Sequence, residues 1–158
     1  MKLRAIGFLA LAFAATPARA ATEDCRALLA AVYTRHQPYL EMLSVSGTEP
    51  AHAFQILWTG EREYLQTRDG WMNGAYVPTP VPAHIPALFT CRNEGATTLA
   101  GQSVIAHTIS AKGFGIATRV WLSRTSGLIV RFVGRDRRGT LLVSTYDYEH
   151  VPRMPAQP

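Results

Sequence analysis

Val120 to Pro152 reads VWLSRTSGLIVRFVGRDRRGTLLVSTYDYEHVP. Two tight loops interrupt it, SRTSG over Ser123–Gly127 and GRDRRG over Gly134–Gly139. Between them Leu128, Val130 and Phe132 alternate with Ile129, Arg131 and Val133, the period of a strand with one apolar and one mixed face. The stretch therefore predicts three antiparallel strands. It carries no obvious reactive group and is built for covering something.

Working outward, strands are predicted over Gln102–Ser110, Gly115–Ser123, Gly127–Arg135 and Gly139–Tyr148. Upstream lie Tyr39–Ser46, Ala51–Thr59 and a run through Tyr64, Leu65 and Thr67 that Asp69-Gly70 closes. In the second of these Phe54, Ile56 and Trp58 share a face. About seven strands separated by turns predict one curved, meandering antiparallel sheet. Ahead of them Thr22 is a candidate N-cap with Glu23 and Asp24 in the first turn. Ala27, Leu28, Ala31 and Val32 form an apolar stripe that must end before Pro38. From Trp71 to Phe89 the pattern breaks: Pro78, Pro80, Pro82 and Pro86 exclude a central strand and predict a long irregular covering loop.

The first residues, MKLRAIGFLALAFAATPARA, have a basic start at Lys2 and Arg4, an apolar run from Ala5 to Ala15 and a small-x-small site at Ala18-Arg19-Ala20. They read as a signal peptide (residues 1–20) cut after Ala20, with an apolar run well short of the ~20 residues that span a bilayer. One domain, 21–158, then remains in an exported, periplasmic setting. Loss of Lys2, Arg4 and Arg19 takes the formal charge from +5 to +2, which leaves no broad basic face for nucleic acid. Of the two cysteines, Cys25 and Cys91, neither lies in a C-x-x-C pair. An exported chain with two cysteines is expected to join them in one disulfide.

The motifs of nucleophilic hydrolases, zinc proteases and P-loops are all missing, and Gly113-Phe114-Gly115 reads as a hairpin turn between strands. The five histidines show no metal-ligand spacing. No catalytic residue, metal site or cofactor is predicted. A hydrolase would need Ser or Asp to converge with His52, His84, His107 or His150. Phe54, Ile56, Trp58 and Trp121 on strands, with Trp71 and Tyr76 in the irregular segment, present an apolar surface that one short helix cannot cover. They are either ordinary core beneath a fixed plug or the candidate wall and lid of a pocket for an apolar small molecule or lipid. The tip arginines Arg135, Arg137 and Arg138 suit either a solvated hairpin end or the docking of phosphate head groups or an acidic partner.

The C-terminal order of VWLS, the turn to Ser126-Gly127-Leu128, a basic strand, Tyr146-Asp147-Tyr148 and Val151-Pro152 resembles small exported bacterial proteins of the LolA-like superfamily, the lipoprotein-carrier fold. Tyr64 with Asp69-Gly70-Trp71, and Cys91 followed by Gly95 and Leu99-Ala100-Gly101-Gln102, extend the resemblance over most of residues 21–158. It implies an α+β half-barrel whose hollow is covered by helices and loops. In the carriers that hollow accepts lipoprotein acyl chains, and in related periplasmic regulators a similar domain senses lipid-like or protein ligands. The proline-rich stretch stands where the carriers place lid helices. The expectation is a non-enzymatic periplasmic protein binding a lipid, acyl chain or other apolar ligand in envelope lipoprotein handling. The alternative is an interaction module for an envelope protein partner, with no small ligand.

Overall fold

The computed structural model describes residues 22–23, 25–33, 37–46, 52–73, 85–112, 117–136 and 138–153. The predicted signal segment, Tyr76 with residues 74–84 of the proline-rich stretch, and the Gly113-Phe114-Gly115 turn lie outside them. In chain order the elements are β1 (Thr22–Glu23), α1 (Cys25–Tyr33), β2 (Tyr39–Ser46), β3 (His52–Trp58), β4 (Glu63–Thr67) and β5 (Gly70–Asn73). A 3-10 turn (Ile85–Leu88) follows, then β6 (Phe89–Leu99), β7 (Gln102–Ala111), β8 (Ala117–Ser123), β9 (Ile129–Arg135) and β10 (Leu141–Asp147).

All strands join one antiparallel sheet in the order β1-β6-β7-β8-β9-β10-β2-β3-β4-β5. Two meanders, β6 to β10 and β2 to β5, are sewn together where β10 pairs with β2 from Leu141↔Ser46 to Asp147↔Leu40. This corrects the predicted half-barrel of about seven strands. Among the described residues nine strands of four or more residues plus the two-residue β1 form the sheet, which is neither closed nor strongly curled. The stretch predicted as a covering loop also differs: Trp71 belongs to β5, which pairs with β4 (Gln66↔Trp71), and Phe89 opens β6.

β6 escaped notice because Thr90, Arg92 and Glu94 to Thr98 are exposed, so the strand has no apolar alternation. Along Cys91–Arg92 its outer edge is covered by β1, where Thr22 pairs with Arg92 and Glu23 with Cys91. The expected N-cap Thr22 and the expected first-turn residue Glu23 are therefore strand, Asp24 lies outside the described residues, and α1 is Cys25–Tyr33.

Two bulges set which side chains face which way. In β6, Asn93 pairs with His107 and Gly95 with Ala106, leaving Glu94 extra. Gly95 takes φ +95°, a left-handed conformation that glycine adopts without a Cβ clash. Between β8 and β9, Trp121 pairs with Arg131 but Leu122 with Ile129, so Val130 is skipped. The predicted alternation in β9 slips there: Ile129 joins Phe132 in the core, while Leu128 and Val130 line a surface groove.

Leu57, Tyr64, Val104 and Ala106 are buried on one face of the sheet, and a second core cluster lies on the other, under α1. Cys25, Leu28 and Leu29 pack with Cys91, Ile109, Val120 and Ile129, flanked by Val32, Phe89, Leu122, Phe132 and Tyr146. A helix of nine residues is marginal alone. Full burial of Leu28 and Leu29 stabilises its docking by roughly 1.5–3 kcal/mol each. The Cys25–Cys91 disulfide, spanning 66 residues with Cα atoms 5.2 Å apart, fastens its first turn to β6. Beside α1 the same face carries a tyrosine cluster, with Tyr39 edge-on to Tyr146 at 5.3 Å and to Tyr148 at 5.8 Å. Burial, reinforced by the charge of buried Glu41, pushes the Tyr146 phenol far above its ordinary range, and its hydroxyl donates to Glu41 Oε1 at 3.4 Å.

After β10 the chain turns on Asp147. Its Oδ1 accepts the backbone N–H of Glu149 (2.9 Å) and His150 (3.0 Å), and Oδ2 lies 2.9 Å from the His150 ring. The N–H groups of His150 and Glu149 hold its carboxyl below the usual range.

Replacing both cysteines by alanine is expected to cost about 2–4 kcal/mol, read as a fall in the urea midpoint. An unchanged midpoint would show that α1 docks without the bridge. For Asp147 the folded-state pKa is the lower one. Its contribution is thus complete above the ordinary carboxylate value of about 3.9 and lost as pH falls through the depressed one. Asp147→Asn should destabilise at pH 7 and make the acid loss of stability shallower than in the parent. An identical acid profile for the two would contradict the assignment.

Candidate functional site

Residues paired across an antiparallel ladder point to the same side. Ile109, Val120, Phe132 and Tyr146 face α1, so the intervening residues face away. One rung on that opposite face runs Ala106, Trp121, Arg131, Thr145, Met42 and Gln55, and the next runs Arg92, Thr108, Arg119, Val133, Val143 and Ser44. Among the described residues, the elements outside the sheet are α1, which packs on the other face, and the 3-10 turn beside α1 and β6. Arg119 and Met42 accordingly stay exposed, at 51% for the Arg119 side chain and 39% for Met42, and Trp121 is half-buried.

Trp121 is the centre of this face. The Arg119 guanidinium, from the next rung, lies 5.0 Å and that of Arg131, from the same rung, 5.8 Å from its ring. Each such contact is worth about 0.5–1 kcal/mol at an exposed site, enough to restrict two long side chains before any partner arrives. Arg131 is the more buried, and its Nε has no hydrogen-bond partner among the described residues. The β6 bulge aims Glu94 at the same face, where Oε2 pairs with Arg119 at 2.7 Å and Oε1 accepts from the Thr108 hydroxyl. Two grooves flank the cluster. A small one, about 230 Å3, lies over Val133, Leu141 and Ala117 between Arg119 and Arg135. A larger one, about 710 Å3, runs over Leu40, Met42, Leu128 and Val130 to a polar rim at Asp147 and His150.

The residues singled out from sequence are distributed over both faces. Phe54, Ile56 and Trp58 pair with Leu43, Glu41 and Tyr39 and so share the α1 side, where Trp58 is only 1% exposed. Trp121 is on the other side, Trp71 is six strands away on β5, and Tyr76 lies outside the described residues. Arg119, Arg131, Glu94 and Met42 were missed. The Arg119-x-Trp121 spacing on a strand was a usable signal for the first of them, whereas Arg131 and Glu94 depend on bulges that no local pattern announces.

The arginine tip, which the sequence reads as a solvated hairpin end or a docking point, is closed on itself at its described residues. Arg135 donates to the Gly139 carbonyl at 2.8 Å, and Asp136 Oδ1 accepts the N–H of Arg138 and Thr140. Among the described residues no three His, Cys, Asp or Glu are grouped to hold a metal ion, and no helix is long and apolar enough to cross a membrane.

No protein-family model matches the chain, and comparison with curated proteins gives no match. Solved structures do match. MucB aligns over 82% of this chain at 13% identity with a TM-score of 0.55. MucB in complex with MucA(peri) aligns over 78% at 14% identity and TM-score 0.54, and the Pseudomonas aeruginosa MucA/MucB complex over 82% at 13% and 0.55. The match covers 59%, 54% and 58% of those chains, so this chain spans little more than half their length. The lipid, acyl-chain or apolar-ligand reading is corrected on two findings. The sheet is open and weakly curled instead of wrapping an apolar hollow, and the matched structures include two in which the partner is a protein. At this identity the likeness is one of fold, and the fold is similar to that of the matched part of MucB.

Proposed function

We propose that the protein is a non-enzymatic, periplasmic interaction module that binds another polypeptide on the sheet face turned away from α1. The observation that carries this reading is Trp121 held between Arg119 and Arg131 on the sheet face opposite α1, where Arg119, Thr145 and Met42 are exposed. Tryptophan and arginine are the residue types that dominate binding hot spots, and here both are immobilised in advance, which lowers the ordering cost of association. Met42, Val133 and Val143 on the same rungs supply apolar area around that centre. The signal-peptide pattern and the Cys25–Cys91 bridge support an oxidising, extracytoplasmic setting. The MucB structures, two of them solved with MucA, support a protein as the partner class.

A photo-crosslinking residue placed at Thr145, exposed in the middle of the face, should trap a defined partner in the intact envelope. The same residue at Glu61, exposed on the β3–β4 hairpin, should not. Equal yields at the two positions, or no adduct at Thr145, would overturn the assignment of the face. Trp121→Ala should weaken the captured interaction by about 2 kcal/mol, near thirty-fold in affinity.

A further inference from the structure

Resting on that reading, we propose that the face selects an extended segment carrying an acidic side chain, with an aliphatic side chain two residues away, and that Glu94 holds the acidic seat until the segment arrives. The charge balance points to it. Arg92, Arg119, Arg131 and Arg135 stand on this face by register. Of the nearby carboxylates, Asp147 is consumed by the N–H of Glu149 and His150, and Asp136 by those of Arg138 and Thr140. Glu94 alone of the three is directed at an arginine of the rungs, and it reaches only Arg119. Arg131 keeps a buried Nε without a hydrogen-bond partner among the described residues.

A carboxylate laid over the Trp121 ring meets both guanidinium groups that flank it, and charge-assisted hydrogen bonds to arginine are the strong kind. It also gives the Arg131 fork an acceptor that the fold leaves out. The 230 Å3 groove begins one rung further along the strands, at Val133 and Arg119, and extends to the rung beyond, at Leu141, Ala117 and Arg135. Successive same-side residues of an extended chain are about 6.6–6.8 Å apart, the spacing of the sheet's own rungs. A segment with its acid over Trp121 therefore presents residue i+2 to that groove, whose floor is aliphatic. Glu94, seated on the bulge at Gly95 and 28% exposed, is displaced from Arg119 without disturbing the β6–β7 ladder, because it is the unpaired residue of the bulge.

The test uses the disulfide-bonded protein and labelled peptides repeating Glu-Ser-Leu-Ser, Gln-Ser-Leu-Ser or Lys-Ser-Leu-Ser, with binding followed by anisotropy at low and at physiological salt. The acidic peptide should bind about ten-fold or more tighter than the neutral one, and salt should erode the difference. Arg119→Ala and Arg131→Ala should each remove most of that preference, whereas Arg68→Ala, on the β4–β5 turn, should leave it intact. Glu94→Gln should tighten acidic binding about three-fold by vacating Arg119, an effect that loss of a merely structural ion pair does not produce. Equal affinity for acidic and neutral peptides, or weaker binding by Glu94→Gln, would overturn the proposal. Should an arginine variant fail to fold, the peptide comparison on the unmodified protein still decides. A partner trapped at Thr145 alongside indifference to peptide charge would sink the acidic seat and leave the interaction face standing.

Discussion

Helix α1 is nine residues long and is fastened to β6 by the Cys25–Cys91 bridge, which commits it to one face of the sheet. A ten-strand sheet that is not rolled into a barrel has two broad faces, and a helix of that length covers part of one. The buried cluster of Leu28, Leu29, Ile109, Val120 and Ile129 lies wholly on that side. What happens on the other side is settled by composition. Around Trp121 lie arginine stems, threonines and aliphatic side chains, and the same face also buries Leu57, Tyr64 and Val104.

The two bulges give that surface its character. Each adds one residue to a strand, and since side chains alternate with period two, one extra residue transfers everything beyond it to the opposite face. In β6 the added Glu94 delivers a carboxylate to Arg119, and in β9 the skipped Val130 moves Ile129 into the core. Bulges thus couple the packing under α1 to the polar arrangement above it. The arginines are positioned by the Trp121 ring, and the ring by the pairing of β8 with β7 and β9.

Much of the architecture was legible in the residues. Seven strands, a short N-terminal helix before Pro38 and the Cys25–Cys91 pairing were read from alternation, turn residues and cysteine count, and the strand cores match, with Tyr39–Ser46 reproduced to the residue. Edge strands were not legible. β6 is exposed along most of its length and β1 is two residues long, so neither has apolar periodicity to announce it. Curvature was not legible either, because it depends on the summed twist and register of all strands. The faces of the candidate site residues were not legible for a related reason: Phe54, Ile56, Trp58 and Trp121 look alike in sequence, but only long-range pairing places the first three on the α1 side and the last one opposite.

Methionine and tryptophan oxidation supplies the most direct check on the central claim that the face around Trp121 is where a partner sits. Met42 lies on that face at 39% exposure, and Met72 on β5 at 54% serves as the internal reference. Hydroxyl-radical footprinting of the protein in its native envelope, compared with the purified protein, is predicted to show Trp121 and Met42 protected while Met72 reacts equally in both. Equal labelling of Trp121 and Met42 in the two preparations, or protection of Met72 instead, would contradict the account.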